Sequence, residues 1–97
     1  MDAKKINPKL RGYLDLVAAL GEILGPDCEV LLHDLSCPES SVIACANTEL
    51  SGRGLGSPIT DFGLSLMKDK SCRGKPGLFN YFGKTEDGRV LRSGVCF

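Results

Sequence analysis

Ninety-seven residues suffice for one domain with a modest core, since a chain this short withdraws only roughly 60–70% of its unfolded surface from water. Apolar residues at 42% and charged residues at 25% are the proportions of a folded globule and exclude a disordered chain. Twelve basic residues balance twelve acidic ones, so the basic excess of a duplex-binding surface is missing and no direct nucleic-acid contact is expected.

The first element reads as a helix over about residues 8–24. Asn7 followed by Pro8 is an N-cap and first helical position. Leu10, Tyr13, Leu14, Val17, Leu20, Ile23 and Leu24 recur at three and four as one apolar stripe, with Arg11, Asp15 and Glu22 largely off it. Gly25-Pro26 stops the helix.

"CEVLLHDL" is a short strand, and "SSVIACAN" a second of similar length; the polar turn between them predicts an antiparallel hairpin. Alternation places Val30, Leu32 and Asp34 on one face and Leu31, His33 and Leu35 on the other. Ser57-Pro58 then repeats the helix-start signal, with Asp61 in the first turn and Ile59, Phe62, Leu66 and Met67 as an apolar face to about Lys70. "SCRGKPG" is a loop. "LFNYFGKTE" and "RVLRSGVCF" are two strands around Glu86-Asp87-Gly88, a second hairpin. The order predicts an α+β domain, an antiparallel sheet with helices on one face.

Basic residues gather in two places, Lys4, Lys5, Lys9 and Arg11 near the start and Lys68, Lys70, Arg73 and Lys75 after the middle. The second group has the sign that suits a helix C-terminus. No apolar run approaches the ~20 residues that cross a bilayer, and the opening residues are not a signal peptide. A cytoplasmic place without membrane contact is expected. Cys28, Cys37, Cys45, Cys72 and Cys96 are odd in number and lack C-x-x-C spacing, which agrees with a reducing compartment. With one histidine they supply no zinc set, so no metal and no cofactor are expected.

Gly52, Gly54 and Gly56 form a G-x-G-x-G loop, not the G-x-G-x-x-G of a dinucleotide site, and hairpin patterns on both sides argue against a βαβ unit. Two readings stay open. Arg53 and the amides of a helix opening at Pro58 would together suit a small anion; otherwise the segment is a tight strand-to-helix connection. His33 beside Asp34 suggests catalysis, but neighbouring strand residues face opposite ways, so Asp34 is poorly placed to orient His33. No nucleophile elbow is present. A small enzyme using His33 and Cys45 is the lesser alternative, and a ligand-facing or structural histidine the favoured one.

Together "LGPDCEVLLHDLS", "SSVIACAN", "SGRGLGSPITDFGLSLMKD" and "GRVLRSGVCF" resemble the YheO-like PAS domain of bacterial transcriptional regulators, from about residue 10 onward. The most specific parts are "EVLLHDL" and S-G-R-x-x-G-x-P-x-T-D. The resemblance implies an antiparallel PAS sheet enclosing a small-molecule pocket, upstream of a helix-turn-helix domain that this chain does not include. It implies signal sensing and dimer contact without catalysis. On that reading the glycine loop leads from the second strand to the helices roofing the pocket. His33, Asp34, Asn47, Ser51, Arg53, Thr60 and Asp61 become candidate ligand-binding residues. The ligand is expected to be small, a carboxylate or an amino acid.

Two departures from the family pattern carry expectations of their own. Members often have Asn-Gly-His before Ser-Gly-Arg, where this chain has Asn47-Thr48-Glu49; Glu49 is expected to bring a negative charge that pairs with Arg53. The chain also stops within the fourth strand, whereas a PAS sheet has a fifth strand lying between the first and the fourth. Direct pairing of those strands, or a second chain, would fill the gap, so a homodimer is expected. A dimerisation module without ligand is the alternative.

Overall fold

The computed structural model describes residues 6–97, so Lys4 and Lys5 of the first basic group lie outside the described residues. Its contacts divide into two compact units, with the boundary between Thr60 and Asp61.

The first unit begins where the sequence indicates. The Asn7 side-chain oxygen accepts the Lys9 amide at 3.0 Å. The chain beyond this cap is not one helix: Pro8–Tyr13 is a 3-10 segment and the α-helix, α1, runs from Leu14 to Leu24. Pro8 and Gly12, the two weakest helix formers, both fall in the first segment. Gly25, at φ 84°, ends α1 and donates its N–H to the Gly21 carbonyl at 3.2 Å.

Strands β1 (Val30–His33) and β2 (Val42–Ala46) form an antiparallel pair, the predicted hairpin in shortened form. β1 ends early because the Asp34 carboxylate turns back to the Ser36 amide and hydroxyl, at 3.0 and 2.6 Å. Leu32 pairs with Ala44 but His33 with Val42, so Ile43 is an extra residue in β2. That bulge breaks the alternation, and Ser41, Val42 and Ile43 are all buried in succession.

Helix α1 packs on this hairpin through Val17 and Gly21. A Cβ on Gly21 would sit 2.5 Å from that of Ala46, so only glycine allows the helix so close to β2. Val17, Val42 and Ile43 form the buried apolar core, each contributing about 1.5–3 kcal/mol by leaving water. The predicted stripe is wider than what is covered: Tyr13, Ile23 and Leu24 stay 52%, 76% and 52% exposed. A two-stranded hairpin is too narrow to cover the whole apolar side of the helix.

In the second unit, α2 spans Asp61–Lys68, three residues later than Ser57-Pro58 suggests. The backbone of residues 57–59 is committed elsewhere: the Ser57 carbonyl accepts the Val42 amide at 3.1 Å, and the Ile59 amide donates to Pro38 at 2.9 Å. Asp61 does lie in the first turn, as expected.

β3 (Gly77–Lys84) and β4 (Val90–Cys96) form the second antiparallel pair. Their turn is closed by the Thr85 amide on the Arg89 carbonyl at 2.9 Å, with Gly88 at φ 87°. A bulge at Asn80, φ 60°, shifts this register too. Along β4 half-buried and exposed residues alternate, and the Phe62 ring of α2 meets the Tyr81 ring of β3 at 5.2 Å. The described residues have the expected α+β arrangement of helices and antiparallel strands, their four strands paired as two two-stranded sheets.

Candidate functional site

The glycine loop is anchored to the β1–β2 hairpin. Gly56 donates to the Val42 carbonyl at 2.8 Å while Val42 donates to Ser57 at 3.1 Å, so the loop lines the outer edge of β2 like a short extra strand. Gly52 and Gly56 hold φ of 72° and 80°, the left-handed region in which a side chain is strained. The Ser57 hydroxyl accepts the Gly54 amide at 3.0 Å, and the Ser51 hydroxyl accepts that of Arg53 at 3.2 Å.

Arg53 lies within electrostatic reach of His33, the last residue of β1. One guanidinium nitrogen donates to the Pro58 carbonyl at 2.5 Å. The guanidinium therefore goes to backbone and not to Glu49, which is exposed, so the expected Glu49–Arg53 pair does not form. The helix start expected at Pro58 is corrected: α2 begins at Asp61, and the Pro58 carbonyl accepts from Arg53.

His33 is half-buried, and its Nδ1 lies 2.8 Å from the hydroxyl of Ser41, which has no solvent exposure. Burial first, and then the positive charge of Arg53, hold the imidazole below its ordinary pKa. His33 is thus biased to the neutral form, with a cation close enough to act on it. Ser41 is absent from the sequence-derived candidates. Its signal is positional: it precedes "VIACA" across the hairpin from the end of β1, where the Asp34 amide donates to its carbonyl at 2.8 Å.

The other candidates are engaged separately. Asp34 serves its own turn, where the hydrogen bonds from Ser36 lower its pKa. Asn47, in the left-handed conformation at φ 58°, directs its side-chain amide at the carbonyls of Gly21 (3.1 Å), Gly25 (2.8 Å) and Cys28 (2.8 Å). It ties the end of α1 to the end of β2. The Ser51 hydroxyl donates to Glu29 at 2.5 Å. Thr60 is exposed at the end of the first unit, and Asp61 opens α2 in the second.

These bonds limit the chemistry open to the cluster. Ser41 is sealed from solvent, so its hydroxyl is not presented as a nucleophile. Cys45 stands across from Leu31, while the Nδ1 of His33 is directed at Ser41. Among the described residues, no group of three or more His, Cys, Asp or Glu side chains gathers as a metal site would require. No described helix is long and apolar enough to cross a membrane. The cluster brings together a cation, an imidazole whose pKa is lowered and a loop of fixed backbone.

Comparison with known proteins agrees with this frame. The model of the YheO-like PAS domain family matches residues 4–97. The chain is 34% identical over 84 residues to the uncharacterized protein YheO of Escherichia coli K12, a match covering 87% of this chain and 35% of that protein. An uncharacterized protein of Haemophilus influenzae is 30% identical over 86 residues, covering 87% of this chain and 37% of its own. The chain thus spans about a third of the length of these relatives. No solved structure matches it.

Proposed function

The chain belongs to the YheO-like PAS domain family, and from that premise we propose that it is the small-molecule-sensing domain of a bacterial transcriptional regulator. Its role is regulatory rather than catalytic. The ligand is a small carboxylate, an amino acid being the form that also engages an acidic group, and the domain acts as a homodimer in the cytoplasm, with no direct hold on nucleic acid or membrane.

One observation carries the ligand class: the Arg53 guanidinium, held on the Pro58 carbonyl, sets a positive charge within electrostatic reach of the half-buried His33. An arginine presents five N–H donors in a planar fork, which suits a carboxylate, and partial burial strengthens the attraction. His33, bonded through Nδ1 to Ser41, would meet the ligand through its other ring nitrogen. Arg53 and His33 are therefore the first-choice contacts. Ser51, Asp34, Asn47 and Thr60 follow as residues of the same unit in the matched stretches, with Asn47 acting from the end of β2.

The test is a thermal-shift panel of amino acids and small carboxylates on the wild-type chain and on Arg53→Ala. A compound that raises the Tm of wild type but not of the folded variant supports the proposal. Equal shifts in both remove Arg53 from the site, and a panel that moves neither argues for a dimerisation module without ligand.

A further inference from the structure

Ser41 is sealed from solvent, and the Nδ1 of His33 is the one hydrogen-bond partner of its hydroxyl among the described residues. A hydroxyl carries a single proton, and this one has a single acceptor within reach. If Nδ1 were protonated, it would donate to the Ser41 oxygen and leave the buried O–H with no acceptor. If Nδ1 is bare, the Ser41 O–H donates to it and both groups are satisfied. A buried donor without an acceptor disfavours its tautomer by roughly tenfold or more. The serine is also held through its backbone, since its carbonyl accepts the Asp34 amide at 2.8 Å.

We propose that Ser41 is a positioning residue for recognition: it donates to Nδ1 of His33 and so fixes the imidazole proton on Nε2. The Nε2 makes no hydrogen bond among the described residues. The half-buried ring therefore offers that nitrogen as a donor and not as an acceptor. Arg53 on the glycine loop is the charge that acts on the ring, and its guanidinium too offers only donors. Asp34, next in the chain, is turned onto Ser36. Two donor groups of this kind select a ligand group that only accepts, and they disfavour an amine, whose N–H would face N–H. The assignment rests on the carboxylate reading above and deepens it: Arg53 supplies charge, and the imidazole adds a directional contact.

His33 is the only histidine of the chain, so labelling histidine with nitrogen-15 isolates its two ring nitrogens in an NMR spectrum. Long-range proton–nitrogen spectra of the chain without ligand, taken well above pH 6.5, tell a protonated nitrogen from a bare one. The expected result is Nε2 protonated and Nδ1 bare, by roughly tenfold or more. A folded Ser41→Ala chain should narrow that preference, while Arg53→Ala should keep it. Circular dichroism checks folding, and Ser41→Cys, close in size and a weaker donor, takes the place of the alanine variant if that unfolds. A proton on Nδ1 in wild type overturns the proposal. So does a preference that the folded Ser41 variant leaves unchanged or widens, or one that is lost in Arg53→Ala. Because no ligand is in the sample, each of these failures leaves the carboxylate reading to the thermal-shift panel.

Discussion

Ser41 and His33 are joined by a 2.8 Å hydrogen bond between a hydroxyl sealed from solvent and a half-buried imidazole. The pair links the residue just before the second strand to the last residue of the first strand, at the point where the bulge changes the register. Replacing Ser41 by alanine removes the partner of Nδ1 without removing the histidine. The expected loss is about 1–3 kcal/mol, the cost of a buried polar group left without its bond. Urea denaturation at neutral pH measures it.

Because His33 is the chain's single histidine, its titration can be followed without assignment. Its folded-state pKa lies below 6.5, so the unfolded chain takes up the proton more readily. The resulting stability is fully present above pH 6.5 and is lost as pH falls from 6.5 through the folded pKa. Arg53→Ala should raise the imidazole pKa only partway to 6.5, because burial is the larger cause and persists. NMR titration of the ring carbons reads both; a pKa at or above 6.5 in wild type would contradict the burial of this ring.

Asn47 offers two N–H groups to three carbonyls at the end of α1 and just beyond it. Asn47→Gly keeps the left-handed backbone accessible but gives up these bonds, for an expected loss of roughly 1–3 kcal/mol. Asn47→Asp should cost more, since a carboxylate would face three carbonyl oxygens. Thermal denaturation should rank wild type above Gly above Asp, and the reverse order of the two variants would deny the amide this role.

Gly21→Ala would ordinarily strengthen a helix, by about 1 kcal/mol. Here the added methyl lies 2.5 Å from the Ala46 Cβ, and overpacking of that kind costs about 1–3 kcal/mol. The variant should therefore be no more stable than wild type, and up to about 2 kcal/mol less so. Ala46→Gly added to it should recover part of the loss, which a double-mutant cycle by urea denaturation would reveal.

The Cys37 thiol donates to the Glu39 carboxylate at 3.1 Å, and this bond is the main cause that raises its pKa. Less of it is thiolate at neutral pH, so it should alkylate slowly. Glu39→Gln should speed its reaction with iodoacetamide, followed by peptide mass spectrometry. An unchanged rate would mean that the carboxylate does not control this thiol.

Local chemistry was enough to read the element order, the two hairpins, the cap at Asn7 and the stop at Gly25. Each of these depends on residues a few positions apart: a side-chain oxygen reaching the next turn, a glycine accepting positive φ, a turn closing two strands. The match to the family motif was likewise written in contiguous stretches. The bulges at Ile43 and Asn80 were not legible, since an extra residue in a strand is defined only by the partner it fails to face. The start of α2 was misplaced for the same kind of reason. Ser57-Pro58 has a helix-opening composition, yet Val42, Pro38 and Arg53 claim the backbone there from other parts of the chain.

The site divides in the same way. His33 and Arg53 are visible as residue types in a motif, but their electrostatic coupling depends on the loop folding back along β2. Ser41 drew no notice in the sequence because one serine among several carries no mark of burial. The side-chain amide of Asn47 is bonded to carbonyls 19 to 26 residues away, which no local signal announces. Periodicity and capping act over one or two turns and are encoded in order along the chain. Burial, register and the partner of each polar group are decided by segments meeting across the fold, so they became visible only when those segments were in place.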